Sequence, residues 1–172
     1  MRLSLIAALD AAGTIGSATG GLPWDFPRDR EHFRATVRDR AVLVGHRTYR
    51  EMENWFHSEE VFVLTRTPHI SLFLPGHRRV TTVAQALEIA AELGLDELFV
   101  IGGGATFTAC LPFSDQLILT RLETVIPVSD AVTFPNFERS TDWALEQSET
   151  WPPSPDQPCS ARLEVWSRRN TS

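Results

Sequence analysis

The sequence predicts an α/β protein built around one largely parallel β-sheet. Up to Pro112, short β-rich apolar runs alternate with helical stretches, which is the pattern of parallel strands joined by helices. Runs such as Ala41–Val44 are apolar at consecutive positions, so the strands they predict should be buried on both faces. After Pro112, three β-rich segments follow one another with no helix between them, and we expect these to be antiparallel strands.

The predicted elements follow from local signals along the chain. A helix should begin at Pro27, because proline is favoured in the first helical turn, and Thr82–Gln85 has the capping-box spacing of a second helix that ends at Gly94. A third helix is predicted over Ala105–Leu111, and the proline-rich segment Trp151–Pro158 should form the tip of a long hairpin. The predicted strands are Leu3–Leu9, Ala41–Val44, Val61–Thr65, Glu97–Ile101, Gln116–Leu122, Trp143–Thr150 and Ala161–Trp166.

Length and composition restrict the possible classes of protein. The 172 residues, 42% of them apolar, suit a single domain over residues 1–172. A formal net charge of −6 without a basic stripe argues against a nucleic-acid partner. Cys110 and Cys159 lie far apart without metal-like spacing, which fits a reducing compartment. The apolar run Leu3–Leu9 is too short for a membrane span and lacks a signal-peptide cleavage pattern, so we expect a cytoplasmic protein without a membrane partner.

One carboxylate stands out in the segment Leu22–Phe33. Asp29 precedes Phe33 by one helical turn and Val37 by two, so the three side chains should share one face of the helix that begins at Pro27. That face should point inward, because Phe33 and Val37 are apolar, and an inward carboxylate is costly unless a polar group binds it. Although an isolated first-turn Asp would usually be a cap or an ion-pair partner, Asp29 is a candidate site residue.

A glycine cluster follows one of the predicted buried strands. Gly102–Gly104 connects the strand that ends at Ile101 to the helix that begins at Ala105, and glycine there permits tight turns and the close approach of a ligand. The cluster lacks the spaced glycines of the dinucleotide fingerprint, so taken alone it is a weak signal. A purely structural turn is the alternative interpretation.

A second junction of strand, glycine and helix strengthens the prediction of a ligand. His46 and Arg47 follow Gly45 at a predicted helix N-terminus, and Arg66 follows Thr65 at the end of another strand. Free N–H groups at helix N-termini, with cations nearby, suit a ligand that carries several phosphates. The alternative for each cation taken singly is a solvated surface position.

Together these segments resemble the dihydrofolate reductase family, from Leu3 to about Arg168 and in the family's order. Ser4–Leu9 with Thr14–Gly16 is similar to the family's first strand and mobile loop, and Leu22–Trp24 to the loop segment that closes over nicotinamide and substrate.

The resemblance extends to the pocket itself. Asp29 matches the family's acidic pocket position, Phe33 its aromatic wall and Thr120 the threonine that supports the acid. Ile101–Gly104 matches the family's glycine turn, which contains a cis Gly–Gly bond. The resemblance implies a three-layer fold with a central, mixed, mostly parallel eight-stranded sheet flanked by helices, and an antiparallel C-terminal hairpin.

The implied activity is hydride transfer from NADPH to C6 of 7,8-dihydrofolate, with protonation of N5, which yields tetrahydrofolate. Asp29, supported by Thr120, would accept hydrogen bonds from the 2-amino group and the N3 side of the pterin. Water admitted beside Leu22 would protonate N5, and the Trp24 indole would order a water molecule. The sequence contains no GxSxG motif and no Cys–His arrangement, in keeping with chemistry that needs no protein nucleophile. The family default is a monomer.

The resemblance assigns residues to two sites. The substrate-binding residues would be Ile6, Ala8, Asp29, Arg30, Phe33, Met52, Phe56, Ile101 and Thr120. The cofactor-binding residues would be Ala8, Ile15, Gly16, Gly45, His46, Arg47, Thr48, Leu64, Thr65, Arg66, Ile101, Gly102, Gly103, Gly104, Ala105, Thr106 and Phe107.

The sequence also departs from the family, mainly at the substrate's far end. Glu59 stands where the family has an arginine that binds the glutamate tail of folate, and Arg30 stands where the family has an apolar residue. Arg30 either replaces the missing charge or lies on the surface. His46 occupies the expected cofactor-arginine position, with Arg47 one place later, and Phe107 replaces a common tyrosine.

These departures leave other functions open. A reductase of a tail-less dihydropterin or of a riboflavin-pathway pyrimidine is one alternative, and a non-catalytic nucleotide-binding module is another. Because of Arg30 and Phe56, we expect weakened binding of trimethoprim-like antifolates.

Overall fold

The computed structural model of the protein describes residues 1–57 and 60–169. Over these residues the chain forms ten strands and four α-helices, with one 3-10 turn at Leu111–Phe113 after the last helix. The strands are β1 (Arg2–Leu9), β2 (Thr14–Ser17), β3 (Ala41–Gly45), β4 (Val61–Leu64), β5 (Arg78–Val80), β6 (Glu97–Gly102), β7 (Gln116–Leu122), β8 (Ala131–Thr133), β9 (Trp143–Trp151) and β10 (Ala161–Arg168). The helices are α1 (Pro27–Val37), α2 (His46–Glu51), α3 (Val83–Glu92) and α4 (Gly104–Cys110).

Eight of the strands form one mostly parallel sheet in the order β5-β4-β3-β6-β1-β7-β10-β9. The strands from β5 to β7 in this order all pair in parallel, and β10 is antiparallel to both β7 and β9. The predicted α/β class, the eight-stranded sheet and the antiparallel C-terminal hairpin are therefore confirmed.

The consecutive apolar residues of β3 supply both faces of the sheet, as the sequence predicts. Val42 and Val44 belong to one buried apolar cluster, whereas Leu43 belongs to another. All three are at most 1% exposed. A strand with apolar side chains on both faces is stable only between two covering layers, so this pattern places β3 in the interior of the sheet.

The prediction that Gln116–Leu122 is an antiparallel strand is only half right. β7 is antiparallel to β10 but parallel to β1, with Leu5 opposite Leu117. The crossover through α4 passes over β1, so β7 pairs with the side of β1 opposite β6 and runs in the same direction as both strands. The order of elements after Pro112 could not reveal that β7 inserts between an earlier strand and a later one.

Three short strands are absent from the predicted set. β2 and β8 form a separate two-stranded ribbon, in which Ser17 lies opposite Ala131. β5, with Arg78 and Arg79, closes the edge of the main sheet against β4. Three or four residues give too little alternation to be recognised, and these strands are held by pairing rather than by their own apolar content.

The sequence signals for helix starts agree with the observed starts of α1 and α3. α1 begins at Pro27 as predicted, and the Thr82 hydroxyl accepts a hydrogen bond from the Gln85 backbone N–H at 3.1 Å at the start of α3. The returning side-chain bond goes to the Thr81 N–H at 2.8 Å, one residue before the capping-box position. No helix in the described parts of the chain has the length and apolar character needed to cross a bilayer.

Candidate active site

One cavity of about 770 Å³ opens at the carboxyl ends of the parallel strands. The ends of β1, β3, β4 and β6 form its floor, and its walls come from α1, from the starts of α2 and α4, and from the loop before α1. Ligands of open α/β sheets bind at this place, beyond the carboxyl ends of the strands. The size suits a small organic ligand.

The cavity extends between β1 and β6 because the two strands separate there. Their parallel pairing ends at Leu5 opposite Val100, and the next residues, Ile6 and Ile101, both line the cavity. β3 also skips one residue of β6 in this region, since Leu43 pairs with Val100 and Val44 with Gly102. The register shift leaves Ile101 without a pairing partner on β3. The ladder of paired residues is therefore interrupted at Ile101, where β6 lines the cavity.

Asp29 lies on the α1 wall of this cavity together with Phe33. Burial raises the pKa of the Asp29 carboxyl, while a hydrogen bond with the Thr120 hydroxyl and the charge of His32 oppose that increase. Thr120 is itself 2% exposed and lies on β7, behind the cavity wall. The Asp29 carboxyl is therefore partly desolvated, and Thr120 is its hydrogen-bond partner within the protein. Its other side faces the cavity, where a ligand can reach it.

Trp24 and Leu22 lie at the mouth of the cavity. The Trp24 ring packs against the apolar cluster around Phe26 and Trp151, and its indole nitrogen is buried with no hydrogen-bond partner among the described residues. Leu22 is 58% exposed, although it also lines the cavity. A buried N–H donor without a protein acceptor is costly, and it is available to a ligand or to water.

The loop that contains Leu22 is attached to the rest of the protein by two carboxylates. Asp130, next to β8, accepts hydrogen bonds from the Ser17 hydroxyl at 2.8 Å and from the Thr19 N–H at 2.9 Å. Glu51, the last residue of α2, accepts a longer bond of 3.4 Å from the Gly21 N–H. The loop thus lies against both the β2–β8 ribbon and the α2 wall of the cavity.

The two glycine turns meet at the cavity floor. A Cβ atom at Gly45 would lie 2.5 Å from the Thr106 hydroxyl, and one at Gly103 would lie 2.9 Å from the Thr48 hydroxyl. The peptide bond between Gly102 and Gly103 is cis. A side chain at Gly45 or Gly103 would collide with these threonine side chains, so glycine fits both positions. Without side chains, the backbone at both glycines is accessible from the cavity.

The structure brings most of the predicted site residues to this one cavity. The predicted residues that line it are Ile6, Ala8, Ile15, Gly16, Leu22, Trp24, Asp29, Arg30, Phe33, Gly45, His46, Arg47, Thr48, Met52, Leu64, Ile101, Gly102, Gly103, Gly104, Ala105, Thr106 and Phe107.

Four predicted residues lie outside the cavity lining. Phe56 is 7% exposed and stacks on Tyr49 at 5.4 Å, so it belongs to the core and is not a pocket wall. The expected effect of Phe56 on antifolate binding stays a prediction, although Phe56 does not line the cavity. Thr65 and Arg66 continue past the end of β4 beyond Leu64, and Arg66 is exposed. The Thr120 hydroxyl is hydrogen-bonded to the Asp29 carboxyl, and its predicted role in the site stays a prediction.

Sequence reasoning missed several residues that line the cavity. Trp55 packs edge-on against Phe33 at 5.4 Å between ring centroids, and the Arg34 guanidinium lies 4.5 Å above its ring. Glu51 lies one helical turn after Arg47, close enough for an ion pair at 3.5 Å, and this spacing could have predicted it. The remaining missed residues are Ala7, Ser17, Gly20, Gly21, Asp25, Phe26 and Val132.

Arg30, one of the residues at which the sequence differs from the family it resembles, lies at the rim of the cavity. The Arg30 guanidinium donates a hydrogen bond to the Asp25 carboxylate, and both side chains are exposed and line the cavity. Arg30 is thus at the rim and already paired with an anion. Glu59, which the sequence places opposite, lies outside the described residues.

Comparison with known proteins identifies the family. The family model described as "Dihydrofolate reductase" matches residues 2–168. The chain is 26% identical to the dihydrofolate reductase of Bacillus subtilis over 170 residues, which cover 99% of this chain and 96% of that protein. It is 30% identical to dihydrofolate reductase type 3 of Salmonella typhimurium over 88% of this chain and 89% of that protein. It is also 30% identical to the Haemophilus influenzae dihydrofolate reductase, over 87% of this chain and 88% of that protein. With a cavity of this composition at the carboxyl ends of its sheet, the chain belongs to the dihydrofolate reductase family of oxidoreductases.

Proposed function

We propose that this protein reduces 7,8-dihydrofolate to 5,6,7,8-tetrahydrofolate with NADPH, by hydride transfer to C6 and protonation of N5. The observation that carries the proposal is the position of Asp29, a carboxyl of raised pKa on the wall of the cavity whose floor holds both glycine turns. Membership of the family and the names of its relatives point to the same reaction.

The floor and the α2 wall fit a nicotinamide dinucleotide. The closely packed glycines at Gly45 and Gly103 leave no room for side chains and let the ligand reach the backbone. Arg47 offers positive charge beside this floor, and the half-buried His46 offers a ring N–H donor. When bound, NADPH supplies the hydride, and the residues of the chain bind it and orient it against the substrate.

The 2′-phosphate of NADPH would be bound at the outer edge of this wall. Arg47 lines the cavity, whereas Arg66 lies exposed beyond it, past the end of β4. Leu64, the last residue of β4, lines the cavity, and Arg66 follows it closely along the chain. We assign these two arginines to the phosphate-bearing half of the cofactor, together with the Thr48 and Thr65 hydroxyls.

Asp29 would orient the pterin ring. Its ionised carboxylate can accept two hydrogen bonds, from the 2-amino group and from the N3 side of the ring, while the Thr120 hydroxyl holds the carboxyl from behind. Such fixed positioning of a flat ring against the nicotinamide supplies the near-attack geometry that hydride transfer needs. The Trp24 indole N–H would donate to a water molecule or to the ligand, and water that protonates N5 would enter beside Leu22.

The experiment that tests this function is a mixture of the purified protein with NADPH and dihydrofolate. We expect NADPH absorbance to fall at a rate proportional to enzyme concentration, with tetrahydrofolate as the product identified by mass spectrometry. NADH in place of NADPH serves as the matched cofactor control, and it should give a lower kcat/KM. If NADPH is not consumed with dihydrofolate, the proposed reaction is wrong.

A tail-less dihydropterin remains a second candidate, because the rim cation is already paired. The carboxylate tail of folate would have to compete with Asp25 for the guanidinium of Arg30. Equal kcat/KM values for dihydrofolate and for a dihydropterin without the tail would favour this candidate. A dihydrofolate KM that rises in Arg30→Gln, with an unchanged KM for the tail-less substrate, would assign Arg30 to the tail.

A further inference from the structure

His32 lies one helical turn beyond Asp29 on α1, outside the cavity lining. Residues three apart on a helix are neighbours, with Cβ atoms about 5–6 Å apart. The His32 ring packs edge-on against Trp151, with 5.8 Å between the centroids and an interplanar angle of 70°. The imidazole is therefore behind the acid, between α1 and the end of β9, where a ligand in the cavity does not touch it.

Trp151, against which His32 packs, is itself firmly held. It is 3% exposed, and its indole N–H donates to the Glu149 carboxylate at 3.0 Å. The Arg28 guanidinium lies 4.5 Å above the Trp151 ring and pairs with Glu149 at 2.8 Å. These contacts join the first turn of α1 to β9, so the imidazole has a defined position relative to Asp29.

The Nε2 atom of His32 is buried and has no hydrogen-bond partner within residues 1–57 and 60–169. An unpaired buried polar atom is destabilising, whereas an apolar ring of similar shape would avoid that cost. Packing against Trp151 therefore does not account for an imidazole at this place.

We propose that His32 is a positioning residue that, together with Thr120, controls the protonation of the Asp29 carboxyl from behind the cavity. The effect on turnover rests on the proposed function, whereas the effect on the acid itself does not. Thr120 acts from β7 through its hydroxyl, and His32 acts along α1 through its charge.

The charges around His32 support this role. Asp29 faces it from its own helix and Glu149 from β9, with Arg28 above the ring of Trp151; the Cys159 thiol packs in the same apolar cluster as Trp151. Burial lowers the pKa of His32, and the charges of Asp29 and Glu149 oppose that decrease. In the reverse direction, the imidazolium lowers the pKa of the Asp29 carboxyl, which burial alone would raise further.

The consequence is a carboxylate that stays ionised to lower pH than its burial would allow. Coupled groups titrate as a pair, so protonation of His32 on acidification delays protonation of Asp29. An ionised Asp29 accepts the hydrogen bonds that orient the pterin, and acidification then affects substrate binding later than it would in a protein without the imidazole.

The test is His32→Phe, which keeps an aromatic ring against Trp151 and removes both nitrogens of the titratable imidazole. The Asp29 carboxyl carbon is followed by NMR as a function of pH in the ligand-free protein, so the result does not depend on which substrate is reduced. We expect the pKa of Asp29 to rise by about 0.5 unit or more, with thermal stability equal to or above that of the wild type. The acid limb of the kcat/KM profile should move to higher pH by the same amount.

Two controls decide between this role and a structural one. In Asp29→Asn the pKa of His32 should fall by an amount that matches the rise in His32→Phe, because coupling between two sites is reciprocal. His69→Gln removes a histidine from an exposed loop and should leave the pKa of Asp29 unchanged. If the pKa of Asp29 does not change in His32→Phe, the imidazole is only a packing group and the proposal is wrong.

Discussion

Asp10 and Asp29 are two carboxylates removed from solvent in opposite ways. Asp10 follows β1, is 1% exposed, and accepts backbone N–H bonds from Ala12 at 2.9 Å, Thr14 at 2.8 Å and Ile126 at 2.8 Å. Burial acts to raise the pKa of Asp10, but these donors outweigh it and the net pKa is lowered. Asp29 has the Thr120 hydroxyl as its hydrogen-bond partner, and the net pKa is raised.

The difference fits the proposed roles of the two acids, structural for Asp10 and functional for Asp29. Asp10 has its acceptor capacity used by the backbone, and it ties the turn after β1 to the segment before β8. Asp29 retains acceptor capacity on the side that faces the cavity. Burial alone does not indicate function; the number of donors that the protein itself provides does.

The largest effect should come from Asp29→Asn. We expect kcat/KM for dihydrofolate at neutral pH to fall by roughly 10²–10³-fold, because the amide cannot replace the charge that holds the pterin. The protein should remain folded with unchanged or higher thermal stability, since a poorly solvated charge is removed. Steady-state kinetics and thermal unfolding measure the two effects.

The control for this substitution is Glu31→Gln, an exposed carboxylate two residues later on α1. It should change kcat/KM little. If Asp29→Asn has wild-type activity, Asp29 has no role in the reaction, and its difference from Asp10 has no functional meaning.

Asp10→Ala should affect stability instead of activity. The substitution leaves the buried N–H of Thr14 and the half-buried N–H of Ile126 without an acceptor, which should lower the free energy of unfolding by about 2–3 kcal/mol. Urea denaturation measures the change, and Asp156→Ala in the exposed hairpin tip provides the control. A loss below about 0.5 kcal/mol would contradict the structural role.

Thr120→Val should have an intermediate effect on the site. The hydroxyl lowers the pKa of Asp29, so its removal should raise that pKa further and reduce kcat/KM at neutral pH by about tenfold. The side chain keeps its shape within the sheet, and Thr108→Val on the exposed side of α4 is the matched control. Equal pH profiles for Thr120→Val and wild type would show that the hydroxyl does not act on Asp29.

The smallest expected effect is on the pH dependence of the free energy of unfolding, to which Asp10 and Asp29 should contribute with opposite sign. The folded pKa of Asp10 is below the ordinary value of 3.8, so its stabilisation is present above that pH and is lost on acidification through the folded pKa. The folded pKa of Asp29 is above 3.8, so its contribution is present below 3.8 and is lost as pH rises through the folded pKa. Urea unfolding at several pH values should show that Asp10→Asn is less destabilising in acid, whereas Asp29→Asn gains stability relative to wild type as pH rises. Parallel curves for the two variants would contradict the comparison.

Local patterns in the sequence predict much of the fold and of the site. The apolar run Ala41–Val44 predicts a doubly buried strand, and the spacing of Asp29 and Phe33 predicts that they share a wall. Both signals depend only on the periodicity of side chains along a strand or helix, which neighbours in sequence determine. Phe56 shows the limit, because its apolar character fits a pocket wall as well as the core in which it stacks on Tyr49.

The amino-acid sequence by itself determined the α/β class, the inward acid on α1 and the glycine turns at strand ends. The tertiary structure decided the direction of β7 relative to β1 and the packing of His32 against Trp151. The physical reason is distance along the chain: periodicity and capping act over a few residues, whereas strand insertion and the approach of α1 to β9 join residues more than a hundred positions apart. Ala12 and Thr14 donate to Asp10 from the adjacent turn, but Ile126 donates to it, and Thr120 to Asp29, from distant parts of the chain. The full set of donors to a buried acid is therefore a property of the folded protein.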